Sequence, residues 1–185
     1  MPHDSSQLVF HPTLVLGGAR SGKSRFAEQL ACESGLARVY LATATAGDDE
    51  MRARIAHHRA QRGDGWRTAE EPLALVDALT REAGEGRVVL VDCLTLWLSN
   101  LMHAARDVEA ETKALAEWLR DARHPVLLVS NEVGLGLVPE TPLGRDFRDA
   151  QGRLNQTIAA AVPNVAFVAA GLPLWLKRES SEGAP

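Results

Sequence analysis

The sequence has few cysteines and no excess of basic residues, and these shortages argue against several classes of protein. Cys32 and Cys93 are its two cysteines in 185 residues, and they stand too far apart for the spacing of a metal site. We expect free thiols, buried or half-buried, with Cys32 in a helix and Cys93 at a strand end. Lysine and arginine number 20 against 24 aspartates and glutamates. The resulting formal net charge of −4 argues against binding to nucleic acid or to a membrane surface.

Long apolar segments are also missing. No apolar run approaches the length that crosses a bilayer. The first twelve residues, MPHDSSQLVFHP, lack the basic and then apolar pattern of a signal peptide. The sequence therefore predicts a cytoplasmic protein. It shows no internal repeat and no linker, so we expect a single domain over residues 1–185, with mobile ends at 1–10 and 178–185.

One segment carries a strong chemical signature. The apolar residues 13–16 lead directly into Gly17-x-x-x-x-Gly22-Lys23-Ser24, and a helical pattern follows. In such a phosphate-binding loop (P-loop) the glycines let successive backbone N–H groups point at phosphate oxygens, and the new helix adds its positive end. The lysine reaches the β- and γ-phosphates, and the serine hydroxyl holds Mg²⁺. The segment predicts nucleotide binding; the alternative is a glycine-rich turn that merely resembles the motif.

Apolar strand patterns alternate with helical patterns along the chain. Short apolar strands separated by helices form βαβ units, so we predict an α/β fold of the P-loop NTPase type. It would have three layers, with a mainly parallel sheet and an antiparallel edge strand. The predicted strands cover 12–16, 37–43, 87–92, 125–130, 165–169 and, at the edge, 173–177. The predicted helices cover 23–34, 48–62, 72–83, 94–104, 108–123 and 144–162.

Candidate site residues follow the predicted strands, because ligands of such sheets bind beyond the carboxyl ends of the strands. Asp92 closes RVVLVD, where a P-loop protein has its Walker-B carboxylate, placed for Mg²⁺ directly or through water. Asn131 and Glu132 should point into the same crevice, as ligand contacts or as a base toward a hydroxyl group. The small residues at 42–47 either approach a base or ribose or form a plain turn capped by Asp48.

Two adjacent histidines lie in the helical pattern at 48–62. His58 shares the apolar stripe of Met51 and Ile55, whereas His57 lies on the polar side. Neighbouring side chains point roughly 100° apart on a helix, so the pair suits a metal ion poorly. If one of them is a nucleophile, His57 is the better candidate, since a neutral imidazole can attack phosphorus and form a covalent intermediate. The alternative is an ordinary polar surface histidine.

Four separated blocks together resemble one family. They are GGARSGKSRFAE, YLATATAGDDEMRARIAHHRAQRGDGWRTAEEP, VDCLTLWLSNL and NEVGLGLVPETPLGRDFRDAQGRLNQ. In this order they are similar to the bifunctional adenosylcobinamide kinase / adenosylcobinamide-phosphate guanylyltransferase family of cobalamin biosynthesis, over about residues 13–177. The resemblance implies phosphorylation of adenosylcobinamide with ATP or GTP. It then implies transfer of GMP from GTP to that phosphate, giving adenosylcobinamide-GDP and pyrophosphate, in a homo-oligomer such as a trimer.

The resemblance also assigns roles to residues. The histidine that carries GMP in the family corresponds to His57, in agreement with its polar position on the predicted helix. The catalytic lysine corresponds to Lys23, and the Mg²⁺ ligands correspond to Ser24 and Asp92. The phosphate loop corresponds to Gly17, Gly18, Ala19, Arg20, Ser21, Gly22, Lys23 and Ser24. Further nucleotide contacts correspond to Ala42, Thr43, Ala44, His58, Arg59, Ala60, Gln61, Glu70 and Asp92.

Two other functions fit parts of the pattern. A simple P-loop small-molecule kinase would use the loop, Asp92 and a hydroxyl acceptor, and would form no covalent nucleotide. A non-enzymatic nucleotide-binding module is the second alternative, and the metal pair of Ser24 and Asp92 argues against it. For the kinase step, the carboxylate that orients the cobinamide hydroxyl is either Asp92 or Glu132.

Overall fold

The computed structural model describes residues 11–44 and 64–179, and the predicted helix 48–62 lies outside these ranges. The strands within them are β1 (Thr13–Gly17), β2 (Ala37–Ala42), β3 (Trp66–Glu70), β4 (Arg87–Asp92), β5 (Val126–Asn131), β6 (Asn164–Ala169) and β7 (Leu172–Lys177). The helices within them are α1 (Lys23–Glu33), α2 (Leu75–Glu82), α3 (Leu94–His103), α4 (Val108–Asp121) and α5 (Pro142–Ala161).

The described strands form one sheet in the order β3-β2-β4-β5-β1-β6-β7. All neighbours pair in parallel except β6 and β7, which form an antiparallel hairpin. The two residues between those strands, Ala170 and Gly171, both have positive φ angles, of 51° and 78°. A positive φ at both positions is typical of the type I′ turn that fits the twist of a hairpin. The mainly parallel sheet with an antiparallel edge strand confirms the predicted fold class.

Helices cover both faces of the sheet, as a run of buried parallel strands requires. Along β5, Leu128 packs with the apolar residues of α2 to α5, whereas Leu127 and Val129 pack with those of α1. This alternation follows from the two-residue period of a strand. It assigns each side chain at a strand end to one of two faces, which are called the α1 face and the α5 face below.

Strand β3 was not predicted, because Trp66–Glu70 has no apolar run. The strand lies at the edge of the described sheet and pairs only with β2 there. All five of its residues keep some exposure. An edge strand needs little apolar surface, so a search for apolar runs misses it.

Capping explains why one predicted helix begins at a different residue. Helix α5 begins at Pro142, two residues before the predicted start. The hydroxyl of Thr141 accepts a hydrogen bond from the backbone N–H of Gly144 at 3.1 Å, and proline suits the first helical position.

The two cysteines are free but differ in exposure. Cys93 is buried, as predicted, whereas Cys32 is exposed, so that prediction was wrong for Cys32. Cys32 lies between the buried Ala31 and the exposed Glu33 in the last turn of α1, on the solvent side of the helix.

The ends of the described chain lie close together. The Nε2 atom of His11 lies 3.6 Å from a carboxylate oxygen of Glu179, and the backbone N–H of Glu179 donates to the side chain of Asn164 at 3.0 Å. The guanidinium of Arg178 lies over the ring of Trp175, 5.4 Å from its centroid. None of the helices in the described ranges combines the length and the apolar character needed to cross a bilayer.

The central position of β5 predicts a large difference between two leucine truncations. Leu128→Ala should lower the free energy of unfolding by about 2–5 kcal/mol, because the change leaves a cavity at a fully buried position. Leu137→Ala removes the same atoms at a side chain that is 96% exposed, and should change it by less than about 0.5 kcal/mol. Urea unfolding of both variants checks this; equal losses would contradict the burial.

Candidate functional site

The P-loop connects the end of β1 to the start of α1. Gly22 has a φ of 96° and precedes the helix as its N-cap residue. The ammonium group of Lys23 donates to the carbonyl oxygen of Gly18 at 3.1 Å, and Lys23 is only 9% exposed. The loop is therefore folded back around its own lysine, with the helix N-terminus at its base. The loop stands at the carboxyl end of β1, and its role as a phosphate site stays a prediction.

The turn between β6 and β7 braces the loop from outside. The backbone N–H of Gly171 donates to the carbonyl oxygen of Ser21 at 2.8 Å. A Cβ atom on Gly22 would lie 3.0 Å from the Cα of Gly171, and one on Gly17 would lie 2.5 Å from the carbonyl oxygen of Val168. Because these neighbours are backbone atoms, they cannot move aside cheaply. Glycine is required at both positions to bring the loop this close to the hairpin.

Asp92 ends β4 at the same edge of the sheet, and β5 separates β4 from β1. Its carboxylate accepts a hydrogen bond from the hydroxyl of Tyr40 at 3.1 Å. Sequence reasoning missed Tyr40, the chain's single tyrosine. The alternation of side chains along a strand could have indicated Tyr40. It lies two residues before the end of β2, on the same face of the sheet as Ala42.

The charges of Lys23 and Asp92 both affect the pKa of the buried thiol of Cys93. Burial raises the pKa of Cys93 to about 11, and the neighbouring charge of Asp92 adds to that rise. The positive charge of Lys23 acts in the opposite direction on the same pKa. Lys23 and Asp92 therefore both stand near Cys93, although β5 lies between β1 and β4.

Thr43 is bonded to the chain just after Asp92. Its hydroxyl donates to the carbonyl oxygen of Cys93 at 2.8 Å and accepts from the N–H of Cys93 at 2.9 Å. Its own carbonyl oxygen accepts from the side chain of Asn100 at 2.7 Å. The hydroxyl is fully buried, so these bonds join the ends of β2 and β4. Thr43 remains a predicted nucleotide contact.

The other predicted contacts after β2 lie farther from the P-loop. Ala42 pairs with both Asp92 and Glu70 in the sheet register, so the three residues form a row at the carboxyl edge. Strands are spaced about 4.8 Å apart, which puts β2 three spacings, about 14 Å, from β1 and puts β3 about 19 Å away. Ala44 follows Thr43 at the end of the first described range.

Asn131 and Glu132 lie next to the P-loop. Asn131 pairs with Gly17 in the register of β5 and β1. The backbone N–H of Glu132 donates to the carbonyl oxygen of Gly17 at 3.0 Å, and its carboxylate accepts from the N–H of Gly134. Both residues therefore stand at the crevice, as the sequence predicts.

Several predicted site residues lie outside the described ranges, namely His57, His58, Arg59, Ala60 and Gln61. Within those ranges no group of three or more histidine, cysteine, aspartate or glutamate side chains is arranged to hold a metal ion. A magnesium ion does not need such a group, because it takes oxygen ligands from one or two side chains, the substrate phosphates and water. The hydroxyl of Ser24 and the carboxylate of Asp92 are the chemical type that fits it.

Comparison with known proteins gives a consistent picture. The family model described as cobinamide kinase / cobinamide phosphate guanyltransferase matches residues 13–176. The chain is 55% identical over 168 residues to the bifunctional adenosylcobalamin biosynthesis protein CobP of Pseudomonas aeruginosa, covering 90% of this chain and 97% of that protein. It is 40% identical over 179 residues to the bifunctional adenosylcobalamin biosynthesis protein CobU of Escherichia coli, covering 89% and 98%.

Solved structures show the fold alone. The flagellar accessory protein FlaH from Methanocaldococcus jannaschii superposes with a TM-score of 0.54 at 11% identity, covering 94% of this chain and 81% of that one. At this identity the likeness concerns the arrangement of strands and helices. It agrees with the α/β fold of the P-loop type.

The contact between Gly22 and the hairpin turn predicts a test of the loop. Gly22→Ala should weaken binding of a nucleoside triphosphate with Mg²⁺ at least about tenfold, because the added methyl group forces the loop off Gly171 and displaces its N–H groups. Titration calorimetry measures this effect.

Gly35→Ala is the matched control. Gly35 also has a positive φ, of 68°, but a Cβ there meets nothing within 4 Å. The control should lower stability by about 1 kcal/mol from backbone strain alone and leave the affinity unchanged. Equal affinities of the two variants would contradict the loop contact.

The two thiols should differ in reactivity. With a pKa of about 11, Cys93 is ionised in about one molecule in a thousand near pH 8, and only the thiolate reacts. Iodoacetamide should therefore label Cys32 alone in the folded protein and both cysteines in denaturant. Peptide mass spectrometry reads the sites, and rapid labelling of Cys93 in the folded state would contradict its burial.

Proposed function

The chain belongs to the cobinamide kinase / cobinamide phosphate guanyltransferase family, and we propose how its residues divide the two reactions. The protein is a bifunctional enzyme of cobalamin biosynthesis, which phosphorylates cobinamide and transfers a guanylyl group to the cobinamide phosphate. Family membership therefore favours this function over a simple kinase and over a non-enzymatic module. Our proposal concerns the adenosylated form of the substrate, the nucleotides, the metal ion and the site residues.

Phosphoryl transfer uses the P-loop, and one observation carries this part of the proposal. Lys23 follows the loop after β1 and Asp92 ends β4, so the two charged groups stand at the same edge of the sheet on either side of β5. A phosphate between them would meet the lysine on one side and a carboxylate suited to Mg²⁺ on the other. We therefore propose ATP or GTP as the phosphoryl donor, bound by Gly17, Gly18, Ala19, Arg20, Ser21, Gly22, Lys23 and Ser24.

Each charged group then has a distinct task. Ser24 and Asp92 would hold Mg²⁺, which offsets the negative charge of the phosphates. Lys23 reaches the β- and γ-phosphates and stabilises charge on the transferred group. With Asp92 committed to the ion, Glu132 is left to orient the hydroxyl of adenosylcobinamide. The backbone bond from Glu132 to Gly17 supports this choice, because it ties that residue to the loop.

Guanylyl transfer uses His57 as the nucleophile. A neutral imidazole nitrogen attacks the α-phosphorus of GTP, a nitrogen–phosphorus bond forms, and the bond to the bridging oxygen breaks as pyrophosphate leaves. A phosphate oxygen of adenosylcobinamide phosphate then attacks the same phosphorus and releases the histidine, giving adenosylcobinamide-GDP. Splitting the transfer in two spares the enzyme from aligning two bulky substrates at once.

The remaining nucleotide contacts would serve the base and ribose. The row of Ala42 and Glu70 supports this, since both stand at the carboxyl edge, about 14 Å and 19 Å from β1. The proposed contacts after β2 and β3, and those that follow the nucleophile, are Ala42, Thr43, Ala44, His58, Arg59, Ala60, Gln61 and Glu70.

The proposed setting follows from composition and family. The net charge of −4 supports an enzyme that binds no nucleic acid. We propose a cytoplasmic location and a homo-oligomer, such as a trimer, by analogy with the family.

The covalent step predicts a nucleotide adduct on one histidine. Incubation of the purified enzyme with GTP and Mg²⁺, without a corrinoid, should add one GMP to the intact mass of the wild type. His57→Ala should abolish the adduct, because it removes the attacking nitrogen. His58→Ala is the matched control: it removes a proposed nucleotide contact but leaves the attacking nitrogen of His57, so the adduct should still form at saturating GTP.

Two outcomes would contradict the assignment. An adduct that persists in His57→Ala would show that another residue is the nucleophile. A wild type that binds GTP but forms no adduct would exclude the covalent route and leave phosphoryl transfer as the chemistry of this site.

A further inference from the structure

Exposed apolar side chains are concentrated in the segment that follows β5. Residues 133–143, called the apolar loop below, lead from Glu132 into the first turn of α5. Seven large apolar side chains of the described residues are exposed, and four of them lie within nine residues of this loop. They are Leu135, Leu137, Val138 and Leu143, with exposed fractions of 82%, 96%, 67% and 65%. A single exposed leucine is ordinary, but a group of this kind marks a surface that another molecule covers.

The apolar loop begins at the nucleotide crevice. The backbone N–H of Glu132 donates to the carbonyl oxygen of Gly17 at 3.0 Å, and the carboxylate of Glu132 accepts from the N–H of Gly134. An extended chain advances at most about 3.6 Å per residue, so the Cα atom of Leu135 lies within about 11 Å of that of Glu132. The first exposed leucine therefore stands close to the P-loop.

The other end of the apolar loop is held against α5. The guanidinium of Arg145 donates to the carbonyl oxygens of Pro139 and Glu140, at 3.0 Å and 2.8 Å. A Cβ atom on Gly144 would lie 2.8 Å from the Cβ of Pro139, so a glycine lets the loop approach the helix this closely. Hydrogen bonds thus hold the loop at both ends, while its large apolar side chains remain exposed between them.

The apolar stripe of α5 continues into this loop. Leu154 and Ile158 are buried, and Phe147 is partly buried against the same core. Leu143 follows the same helical spacing one turn nearer the crevice, yet it is 65% exposed. The stripe therefore extends beyond the part of the helix that packs on the sheet. Apolar surface that leaves the core at the edge of a crevice suits a ligand of that crevice.

The substrate of the family has a surface that matches this one. Cobinamide contains a corrin macrocycle, a broad ring with methyl groups around its rim and several carboxamide arms. Both reactions need the end of one arm, as a hydroxyl or as a phosphate, at the nucleotide. The ring itself must then rest on a segment that borders the crevice. Sites for ligands of this kind are mostly apolar with few polar groups, and the apolar loop meets both conditions.

The other exposed leucines fit this role less well. Leu172, Leu174 and Leu176 lie on β7, which begins beside the P-loop and runs back toward the opposite edge of the sheet. Leu176 is four residues, about 14 Å, from the start of that strand. In the strand order, β7 also lies on the side of β1 that is away from β5 and from Asp92. A membrane is a poor occupant of the apolar loop too, because the net charge is −4.

We propose that the apolar loop is the docking surface for the corrin macrocycle, with Leu135, Leu137 and Val138 against the ring and Leu143 at its margin. The inference rests on the proposed function, in which Glu132 orients the hydroxyl of adenosylcobinamide at the P-loop. The loop holds the ring while the arm reaches the phosphates. One surface serves both reactions, because the hydroxyl and the later phosphate stand at the end of the same arm.

The test separates corrinoid affinity from nucleotide affinity in the full chain. Titration calorimetry gives the Kd of adenosylcobinamide and, in a separate titration, that of the β,γ-methylene analogue of ATP with Mg²⁺. The variants of the loop are Leu135→Ser, Leu137→Ser and Leu137→Met. Leu176→Ser is the matched control, because it makes the same change at a leucine that is 59% exposed and lies far from the crevice.

Leu135→Ser and Leu137→Ser should each weaken binding of adenosylcobinamide about fivefold to thirtyfold, because each removes apolar surface that the ring covers. The Kd of the ATP analogue should change less than about twofold. Leu137→Met keeps the apolar surface and should stay within about twofold of the wild type for both ligands. Leu176→Ser should leave both Kd values unchanged. Circular dichroism of each variant shows that the fold is intact.

Three outcomes would overturn the proposal. The first is an unchanged Kd of adenosylcobinamide in both serine variants. The second is an equal loss of affinity for the corrinoid and the nucleotide, which would mean a distorted crevice. The third is a serine variant with a changed oligomeric state in sedimentation velocity, which would assign the leucines to a contact between copies of this chain. A wild type that binds the nucleotide analogue but not adenosylcobinamide would instead contradict the proposed acceptor, on which the inference rests.

Discussion

The parallel pairing of β5 with both β1 and β4 is the constraint on which the site depends. Gly17 is held against Asn131 on one side, and Asp92 is held against Val129 on the other. Residues 126–130 of β5 are buried. A shift of the strand by one residue would turn every side chain to the opposite face. It would bring Ser130 to the phosphate side and bury Asn131 against α5, so apolar packing in the middle of the sheet determines the chemistry at its edge.

Behind the crevice, buried polar groups fix the orientation of the backbone at the strand ends, which apolar packing alone does not do. Thr43 ties the end of β2 to Cys93, and Thr95 and Asn155 tie the end of β5 to two helices. Apolar contacts fix a distance but leave rotation free, whereas a hydrogen bond also fixes a direction. Phosphate chemistry depends on direction, because donors must already point at the charge as it develops. The crevice is thereby built largely from backbone groups whose orientation is set by side chains beneath them.

Sequence patterns predicted the fold class, the P-loop and the position of Asp92, because all three depend on local order along the chain. An apolar run, a glycine spacing and a terminal acid can each be read within a dozen residues. The patterns missed β3 because an edge strand such as Trp66–Glu70 needs no apolar run. They also missed the bond from Tyr40 to Asp92 and the bond from Asn155 to Asn131. Those contacts join distant segments, and only the strand order brings them together. His57 stays a prediction, since it lies outside the described residues.

The strand order also affects how the enzyme is made. Thr13 at the start of β1 pairs with Leu127 on one side and Asn164 on the other. The first strand to be synthesised therefore pairs with strands that are synthesised much later. Contacts of such long sequence separation form late and slowly. The phosphate loop emerges early in synthesis but can be held in shape only once β6 and the hairpin have left the exit tunnel. A prematurely terminated chain would thus carry the full motif without a working site, and could not compete with the complete enzyme for nucleotide.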